Sequence, residues 1–229
     1  MTRWRRLVGP ALTTIFFLAV LIGLGTWQVY RLHWKEGILA RIAVSESGPA
    51  LPLGAHPSPY QKVSVTGHFL YHRASWFGVE VRDTPNGPVM GSFQIVPLER
   101  ANAPPVLVER GWVPQTGSAA PDDPSGTVTV EGYIRPAERK SWLAPTDDTA
   151  GGHFYTLDPA AIGAAAGIAD PAPFVLVALG TDAGGAYPAP APHLPRPPNN
   201  HLSYAITWYG LALALAVIFA TRARGALRT

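Results

Sequence analysis

The chain has 229 residues, of which 47% are hydrophobic and 14% are charged, and it contains no cysteine. The absence of cysteine excludes disulfides, thiolate catalysis and a copper site built on a cysteine pair. The formal charge of +3 does not indicate nucleic-acid binding, because arginines near the two ends of the chain supply much of the basic excess.

Two apolar runs lie near the ends of the chain, at residues 7–30 and 202–221, and neither contains a charged residue. Each run is long enough to cross a bilayer core of about 30 Å as an α-helix. The first run is too long for the apolar core of a secretory signal, and no small-residue cleavage site follows it. We therefore predict two transmembrane helices, at residues 7–30 and 201–221.

Arginines flank the two predicted helices on the sides that face the chain ends. Because positively charged flanks stay in the cytoplasm, we predict that residues 1–6 and 222–229 are cytoplasmic and that residues 31–200 lie outside. The six-residue leader has no transit-peptide character, which favours a bacterial inner membrane with the central domain in the periplasm. The flanking arginines are Arg3, Arg5 and Arg6 before the first helix and Arg222, Arg224 and Arg228 after the second.

Between the helices, short segments of alternating apolar and polar residues are separated by turn residues, a pattern typical of an antiparallel sheet. Pro85-Asn86-Gly87 suits a hairpin turn, and Asp158 and Pro159 suit the start of a short helix that ends at Gly167. Helix and strands are segregated, so we predict one periplasmic α+β domain with an antiparallel β-sheet at residues 31–200. The candidate strands span residues 60–70, 75–82, 89–98, 106–113, 127–134 and 174–179.

Residues 187–200 contain six prolines, a composition that favours extended polyproline geometry. We predict that this segment is a stiff linker between the domain and the second transmembrane helix.

The outer end of the first helix carries aromatic and basic residues without a helix breaker, so we expect the helix to continue to about Ala43. Trp27, Arg31 and Trp34 recur at helical spacing, and Gln28, Arg31 and Lys35 form a polar edge beside them. Such an edge suits an anionic group at the membrane surface. The same residues would equally serve to anchor the helix in lipid headgroups.

The start of the second helix places His201, Tyr204, Ala205 and Trp208 on one face at the water-membrane boundary. A neutral imidazole there could ligate a haem iron while Tyr204 and Trp208 line the apolar ring. The propionates could then pair with Arg31, Lys35 or Arg196. The alternative is that His201 caps or anchors the helix and contacts headgroups.

Small residues in both apolar runs predict that the two helices pack side by side, because small side chains let helix backbones approach in a membrane. The residues concerned are Gly23, Gly25, Gly210, Ala212, Ala214 and Ala216.

Other patterns give little support for an enzyme. None of the seven histidines has zinc-type spacing, and on a strand His68 and His72 would stand about 13 Å apart. Ser75, His72 and Asp147 could be assembled into a hydrolase triad, but no nucleophile elbow surrounds them. We therefore predict no catalytic residue.

Four segments, in this order along the chain, resemble the Surfeit locus protein 1 family. Leu24-Gly25-Thr26-Trp27-Gln28-Val29-Tyr30-Arg31-Leu32-His33-Trp34-Lys35 is the first and includes Trp27 and Gln28. The second is Val108-Glu109-Arg110-Gly111-Trp112-Val113-Pro114, in which Glu109 stands where the family often has Asn. The others are Gly132-Tyr133-Ile134-Arg135-Pro136 and His201-Leu202-Ser203-Tyr204-Ala205-Ile206-Thr207-Trp208-Tyr209.

The resemblance implies an assembly factor for haem-copper cytochrome c oxidase that assists insertion of haem a into the catalytic subunit. The implied partners are oxidase subunit I, haem A synthase and the lipid bilayer, with haem a bound transiently at His201. A scaffold that holds the synthase and subunit I together without a ligand of its own is the alternative. For Arg110, Gly111 and Trp112, both a structural role and direct partner contact remain open.

Overall fold

The computed structural model describes residues 5–84, 87–115, 123–181 and 186–228. The chain divides into two compact units. One unit takes in the chain up to Arg41 and from Arg196 onwards, and the other is Ile42–Pro195.

The first unit is built from two long helices, α1 (Arg5–Ser47) and α3 (His201–Arg228). Segments of both helices, Leu7–Ser47 and His201–Ala226, are long and apolar enough to cross a membrane, and each contains an 18-residue stretch of high mean hydropathy, 2.3 in the first and 1.8 in the second. Helix α1 ends four residues beyond its predicted end near Ala43.

The second unit contains eight strands among its described residues, and the six predicted strands are all present. The strands are β1 (Leu51–Pro52), β2 (Lys62–Phe69), β3 (Ser75–Thr84), β4 (Gly87–Arg100), β5 (Ala103–Pro114), β6 (Thr127–Pro136), β7 (His153–Phe154) and β8 (Phe174–Ala178). Thr84 pairs with Gly87 across the predicted β3–β4 hairpin. Pro85 and Asn86, the predicted turn residues, lie outside the described part of the chain.

Helix α2 (Pro159–Ala165) begins as the sequence predicts. The Asp158 carboxylate accepts hydrogen bonds from the backbone nitrogens of Ala160 and Ala161 at 3.0 and 3.3 Å, which satisfies donors that the first helical turn leaves free. Gly167 follows the helix with a φ of +67°, a conformation that glycine adopts without steric cost.

The sheet is mixed, and the predicted antiparallel sheet is therefore wrong. The strand order is β1-β2-β6-β8-β5-β4-β3-β7, and the pairs β1–β2, β3–β7 and β5–β8 are parallel. The parallel neighbours β5 and β8 need a long crossover connection, and the chain between them supplies one because it contains β6, β7 and α2. The second unit is an α/β domain with a mixed sheet.

An additional pairing between β2 and β4 joins β2, β6, β8, β5 and β4 into a closed ring. A buried cluster takes residues from all five of these strands and fills the interior of the ring. Successive side chains of a strand point to opposite faces, so Val106 and Val108 belong to this cluster, whereas Leu107 belongs to a second one. The second cluster lies on the outer face, where Ile162 of α2 covers it.

The proline-rich segment that the sequence predicts as a linker also contacts the sheet. Ala189 exchanges backbone hydrogen bonds with Trp112, and Ala191 pairs with the chain just after β8. Leu194 is almost fully buried, so this part of the segment belongs to the core of the second unit.

Candidate functional site

The contact between α1 and α3 brings together two of the residues singled out in the sequence. His201 Nδ1 lies 2.7 Å from Gln28 Oε1. Further along the pair, the hydroxyls of Thr26 and Tyr209 lie 3.0 Å apart. From the first contact to the second, the residue number falls on α1, from Gln28 to Thr26, and rises on α3, from His201 to Tyr209. The two helices therefore run antiparallel.

Small residues make this contact close, although only some of the predicted ones take part. Gly25 is buried, and a Cβ atom at Gly25 would stand 2.8 Å from Cε1 of Tyr209. Ala205 and Ala212, one and three turns beyond His201, are also buried. A Cβ at Gly23 or Gly210 would meet nothing within 4 Å, and Ala214 is exposed, so these three predicted residues lie away from the contact, while Ala216 is half-buried.

The hydrogen bond to Gln28 fixes the tautomer of His201. An amide oxygen can only accept, so Nδ1 of a neutral His201 carries the proton and Nε2 carries the free electron pair. Histidines that bind metals commonly donate their other ring N–H to an oxygen in this way, which orients the ring. The arrangement leaves Nε2 able to bind a metal ion.

The described residues contain no group of three or more His, Cys, Asp and Glu side chains that could hold a metal ion. The protein side chains near His201 therefore do not complete a coordination sphere among themselves. A metal bound at Nε2 would need most of its ligands from another molecule, as an iron held in a macrocycle has.

Viewed along the axis of α3, Tyr204 and Tyr209 lie on opposite sides of His201. At 3.6 residues per turn, Tyr204 is rotated from His201 by about 60° in one direction and Tyr209 by about 80° in the other. Trp208 lies on the Tyr204 side and is half-buried. Of the residues predicted to share a face with His201, Ala205 is buried, Trp208 is half-buried and Tyr204 is 55% exposed.

Around α1, Thr26 lies on one side of Gln28, and Trp27 and Arg31 lie on the other. Thr26 and Tyr209 contact each other at one edge of the antiparallel helix pair. Trp27 and Arg31 therefore lie at the other edge, on the same side as Tyr204. Trp27 is 53% exposed. This edge, which we call the aromatic edge, comprises Trp27, Arg31, Trp34, Tyr204 and Trp208.

The three cations predicted to pair with an anionic ligand, Arg31, Lys35 and Arg196, differ in exposure and in their neighbours. The Arg31 guanidinium carbon stands 4.4 Å from the centre of the Trp34 ring, a cation-π distance, and the Arg31 side chain is exposed. Lys35 is half-buried and Arg196, which begins the second part of this unit, is exposed. Of these three cations, Arg31 is the one that belongs to the aromatic edge, where its guanidinium contacts Trp34.

The sequence singled out Gln28 but did not predict its bond to His201. A polar side chain inside an apolar helix usually finds a partner on a neighbouring helix, and this signal could have joined the two residues. Tyr209 was missed because its partner, Thr26, is an ordinary helix residue whose hydroxyl also donates to the Ile22 carbonyl one turn earlier.

The segment Arg110-Gly111-Trp112 forms a separate cluster on β5. The Arg110 guanidinium donates to Gln94 Oε1 at 3.1 Å and Asp123 Oδ1 at 2.8 Å. Its carbon also lies 5.2 and 5.0 Å from the rings of Phe69 and Tyr71. Trp112 is 2% exposed, and its indole N–H donates to the Glu80 carbonyl at 3.1 Å.

Comparison with known proteins decides the family. The SURF1 family model matches residues 15–213. A SURF1-like protein of Rickettsia conorii is 30% identical over 210 residues, which cover 87% of this chain and 85% of that protein. The chain belongs to the SURF1 family.

Relatives from eukaryotes are similar over comparable lengths. A SURF1-like protein of Monosiga brevicollis is 31% identical over 227 residues, 92% of this chain and 86% of that protein. Surfeit locus protein 1 of Mus musculus is 28% identical over 225 residues, 88% of this chain and 71% of that protein. The similarity to SURF1 family proteins therefore includes both long helices and the domain between them.

Glu109, next to Arg110 on β5, carries a buried carboxylate. Arg135 Nη1 donates to Glu109 Oε2 at 3.1 Å, and Nη2 donates to Glu138 Oε1 at 2.8 Å. Burial raises the pKa of Glu109, and Arg135 offsets this only in part. Burial would lower the pKa of Arg135, but the two carboxylates outweigh it and raise that pKa. Burial, followed by the nearby Glu109 charge, raises the pKa of Tyr133 to about 12.

Two of the residues considered for a hydrolase triad, Asp147 and His72, form hydrogen bonds with other residues in this SURF1 family member. Asp147 Oδ1 accepts from the backbone nitrogens of Tyr155 and Thr156 at 2.7 and 3.3 Å, and Oδ2 accepts from Lys140 at 3.1 Å. These bonds, led by the one from Tyr155, hold the pKa of Asp147 below its ordinary value. His72 Nε2 accepts from Arg73 at 3.3 Å. Among the described hydrogen bonds, none joins Asp147 to His72 or Ser75.

Proposed function

We propose that this SURF1 family member is an assembly factor for haem-copper cytochrome c oxidase that holds haem a at His201 while it is placed into the catalytic subunit. Haem a is the cargo in this proposal, and oxidase subunit I and haem A synthase are the partners. The proposal assigns no catalytic residue and treats the protein as a chaperone of the respiratory chain.

The bond between Gln28 and His201 is the observation that carries the proposal. It holds the imidazole in the tautomer whose Nε2 can bind iron, and it comes from a polar residue on the other helix. Haem a would supply an iron whose macrocycle provides most of the coordination sphere. The residues present fit such a group, because His201 supplies one nitrogen ligand and the surrounding side chains supply no competing set of ligands among those described.

The aromatic edge fits the remaining chemistry of a haem. Exposed Trp27 and Tyr204 present ring faces that suit an apolar macrocycle. The exposed Arg31 guanidinium suits a propionate carboxylate, since charged donors form the strongest hydrogen bonds to carboxylates. Lys35 and Arg196 are further cations of the same helical unit, and Trp208 adds a half-buried ring beside His201.

We also propose that α1 and α3 span the inner membrane of a bacterium, with both termini in the cytoplasm and the α/β domain in the periplasm. Two helices of sufficient length and hydropathy support this arrangement, as do the arginines near the two chain termini. The similarity to Rickettsia proteins supports a bacterial setting.

The absorption spectrum of the detergent-purified protein, coexpressed with the enzymes that make haem A, tests the haem proposal. We expect the native protein to retain haem a and His201→Ala to lose it. His33→Ala is the matched control, because His33 is an exposed histidine of the same helical unit. Loss of haem from both variants, or from neither, would contradict the assignment to His201.

Gln28→Leu extends this test to the helix contact. Removing an oxygen that orients a metal-binding histidine typically weakens metal affinity about 10- to 100-fold, and we expect a loss of that size in a haem titration. If the native protein and His201→Ala both fail to bind haem but both capture haem A synthase or oxidase subunit I, the protein is a ligand-free scaffold.

A further inference from the structure

A cavity of about 270 Å³ lies on the sheet of the second unit. It opens between strands β3, β4 and β5 and the short strand β7. Its lining residues are Trp76, Ser92, Val113, Pro114, Gln115 and His153.

Ser92 places a buried hydroxyl in the wall of this cavity. On β4 it alternates in step with Val96 and Leu98, so it points to the face that forms the interior of the ring. Ser92 is 3% exposed, and its Oγ has no hydrogen-bond partner among the described residues. Buried polar groups are nearly always hydrogen-bonded, so a polar group that reached Ser92 from the cavity would satisfy this hydroxyl.

His153 adds an acceptor of fixed orientation. Its Nε2 lies 3.0 Å from the carbonyl oxygen of Gly78, and because a carbonyl only accepts, Nε2 of the neutral ring carries the proton and Nδ1 is left as an acceptor. The ring stacks on Tyr155, with 5.0 Å between the ring centres. The stacking and the Nε2 bond together prevent the ring from turning freely.

The remaining lining favours a neutral ring. The six described lining residues include no Asp, Glu, Lys or Arg, so nothing in this set would balance a charge brought into the cavity. The Trp76 indole, Val113 and Pro114 provide apolar walls. The volume is below the range of about 300–1,000 Å³ that is usual for drug-sized ligands, which limits the occupant to a small group.

We propose that this cavity binds a neutral hydroxyaryl group, either the tyrosine side chain of a partner protein or a small free phenol. A phenol ring suits the apolar walls, and its hydroxyl can donate to His153 Nδ1 or exchange hydrogen bonds with Ser92. The proposal does not rest on haem binding, because every lining residue belongs to the second unit.

Ligand-observed NMR titration of the full-length protein with p-cresol tests the proposal, with toluene as the probe that lacks the hydroxyl. We expect p-cresol to bind the native protein with saturation and more tightly than toluene. Ser92→Ala should weaken p-cresol binding about five- to tenfold, in keeping with the loss of one hydrogen bond, and should leave toluene binding unchanged. Ser125→Ala, which alters an exposed serine, should bind both probes as the native protein does.

Ser92→Ala removes a hydroxyl that has no hydrogen-bond partner in the described part of the chain, so the variant is expected to fold as the native protein does and to give the same circular-dichroism spectrum. Equal p-cresol affinity in the native protein and Ser92→Ala, or no saturable binding by the native protein, would overturn the proposal. N-acetyl-tyrosinamide separates the two sources of the ring. Binding of this probe as well as p-cresol assigns the cavity to a tyrosine side chain, and binding of p-cresol alone assigns it to a free phenol.

Discussion

Glu109 brings a negative charge into the interior of the second unit, where Arg135 is its ion-pair partner. Burial raises the pKa of Glu109 above its value in an unfolded chain, about 4.3. The folded protein therefore holds this proton more tightly than the unfolded chain does. The resulting stabilisation is fully present below about pH 4.3 and is lost as the pH rises through the folded-state pKa.

Glu109→Gln should remove this dependence while Glu138 keeps its bond to Arg135. We expect the native protein to lose stability relative to Glu109→Gln as the pH rises above about 4.3, as measured by thermal unfolding in detergent at a series of pH values. Glu131→Gln, a change of an exposed carboxylate on β6, serves as control. Parallel stability curves for the native protein and Glu109→Gln would show that the carboxylate is not the titrating group.

At the scale of single residues, position along a helix was enough to find His201 but not its partner. Helical spacing relates residues of one helix to one another, and it carries no information about the rotation of that helix against a second one. The structure supplies this rotation through the contact of Gly25 with Tyr209. For the same reason the sequence could not show that Ala205 is buried in the helix contact while Tyr204 is 55% exposed.

Among the elements, β5 depends on a glycine at a bulge. Arg110 is an extra residue between the β4 pairings of Glu109 and Gly111, and Gly111 has a φ of +145°, which non-glycine residues rarely adopt. A Cβ at Gly111 would also collide with the backbone carbonyl of Ala189. The proline-rich segment thus approaches β5 at a point where only a hydrogen atom fits.

Gly111→Ala should destabilise the domain by about 3 kcal/mol or more, from backbone strain and overpacking together. Gly54→Ala is the matched control, because a Cβ there meets nothing within 4 Å. Membrane abundance and thermal unfolding measure both variants. A Gly111→Ala protein of native stability would show that the chain near Ala189 can move away from β5, and the role of the glycine would then be sought in partner contact.

The elements were predicted where the signal is local. Alternating apolar residues revealed the long strands, and the Asp158 cap with Pro159 revealed α2. The parallel neighbours were not predicted, because β5 and β8 are brought together by a connection whose path depends on burial of Phe174 and Leu176 inside the ring. Strand β7 has only two residues, too few to show any alternation.

At the scale of the whole molecule, the proposed topology places the domain and the chain termini on opposite sides of a membrane. The chain has no cysteine, so a single introduced cysteine is a unique reporter. In intact spheroplasts a membrane-impermeant thiol reagent should label Ser125→Cys, in the domain, and should not label Ala226→Cys, near the end of α3.

Permeabilising the membrane should make Ala226→Cys react as readily as Ser125→Cys, which controls for local accessibility. Both positions are exposed. Equal labelling of the two variants before permeabilisation would place them on the same side and would contradict the proposed pair of spanning helices.

The position of β8 has a consequence for how the protein is made. Strand β8 separates β5 from β6 in the ring, yet it is synthesised well after both of them. Until Ala178 has left the ribosome, β5 and β6 each keep one edge without a partner, and open strand edges invite pairing with other chains. A premature stop between Pro136 and Phe174 would therefore do more than shorten the domain. It would leave this gap open permanently, and such a fragment would be a target for aggregation and proteolysis rather than a partly active protein.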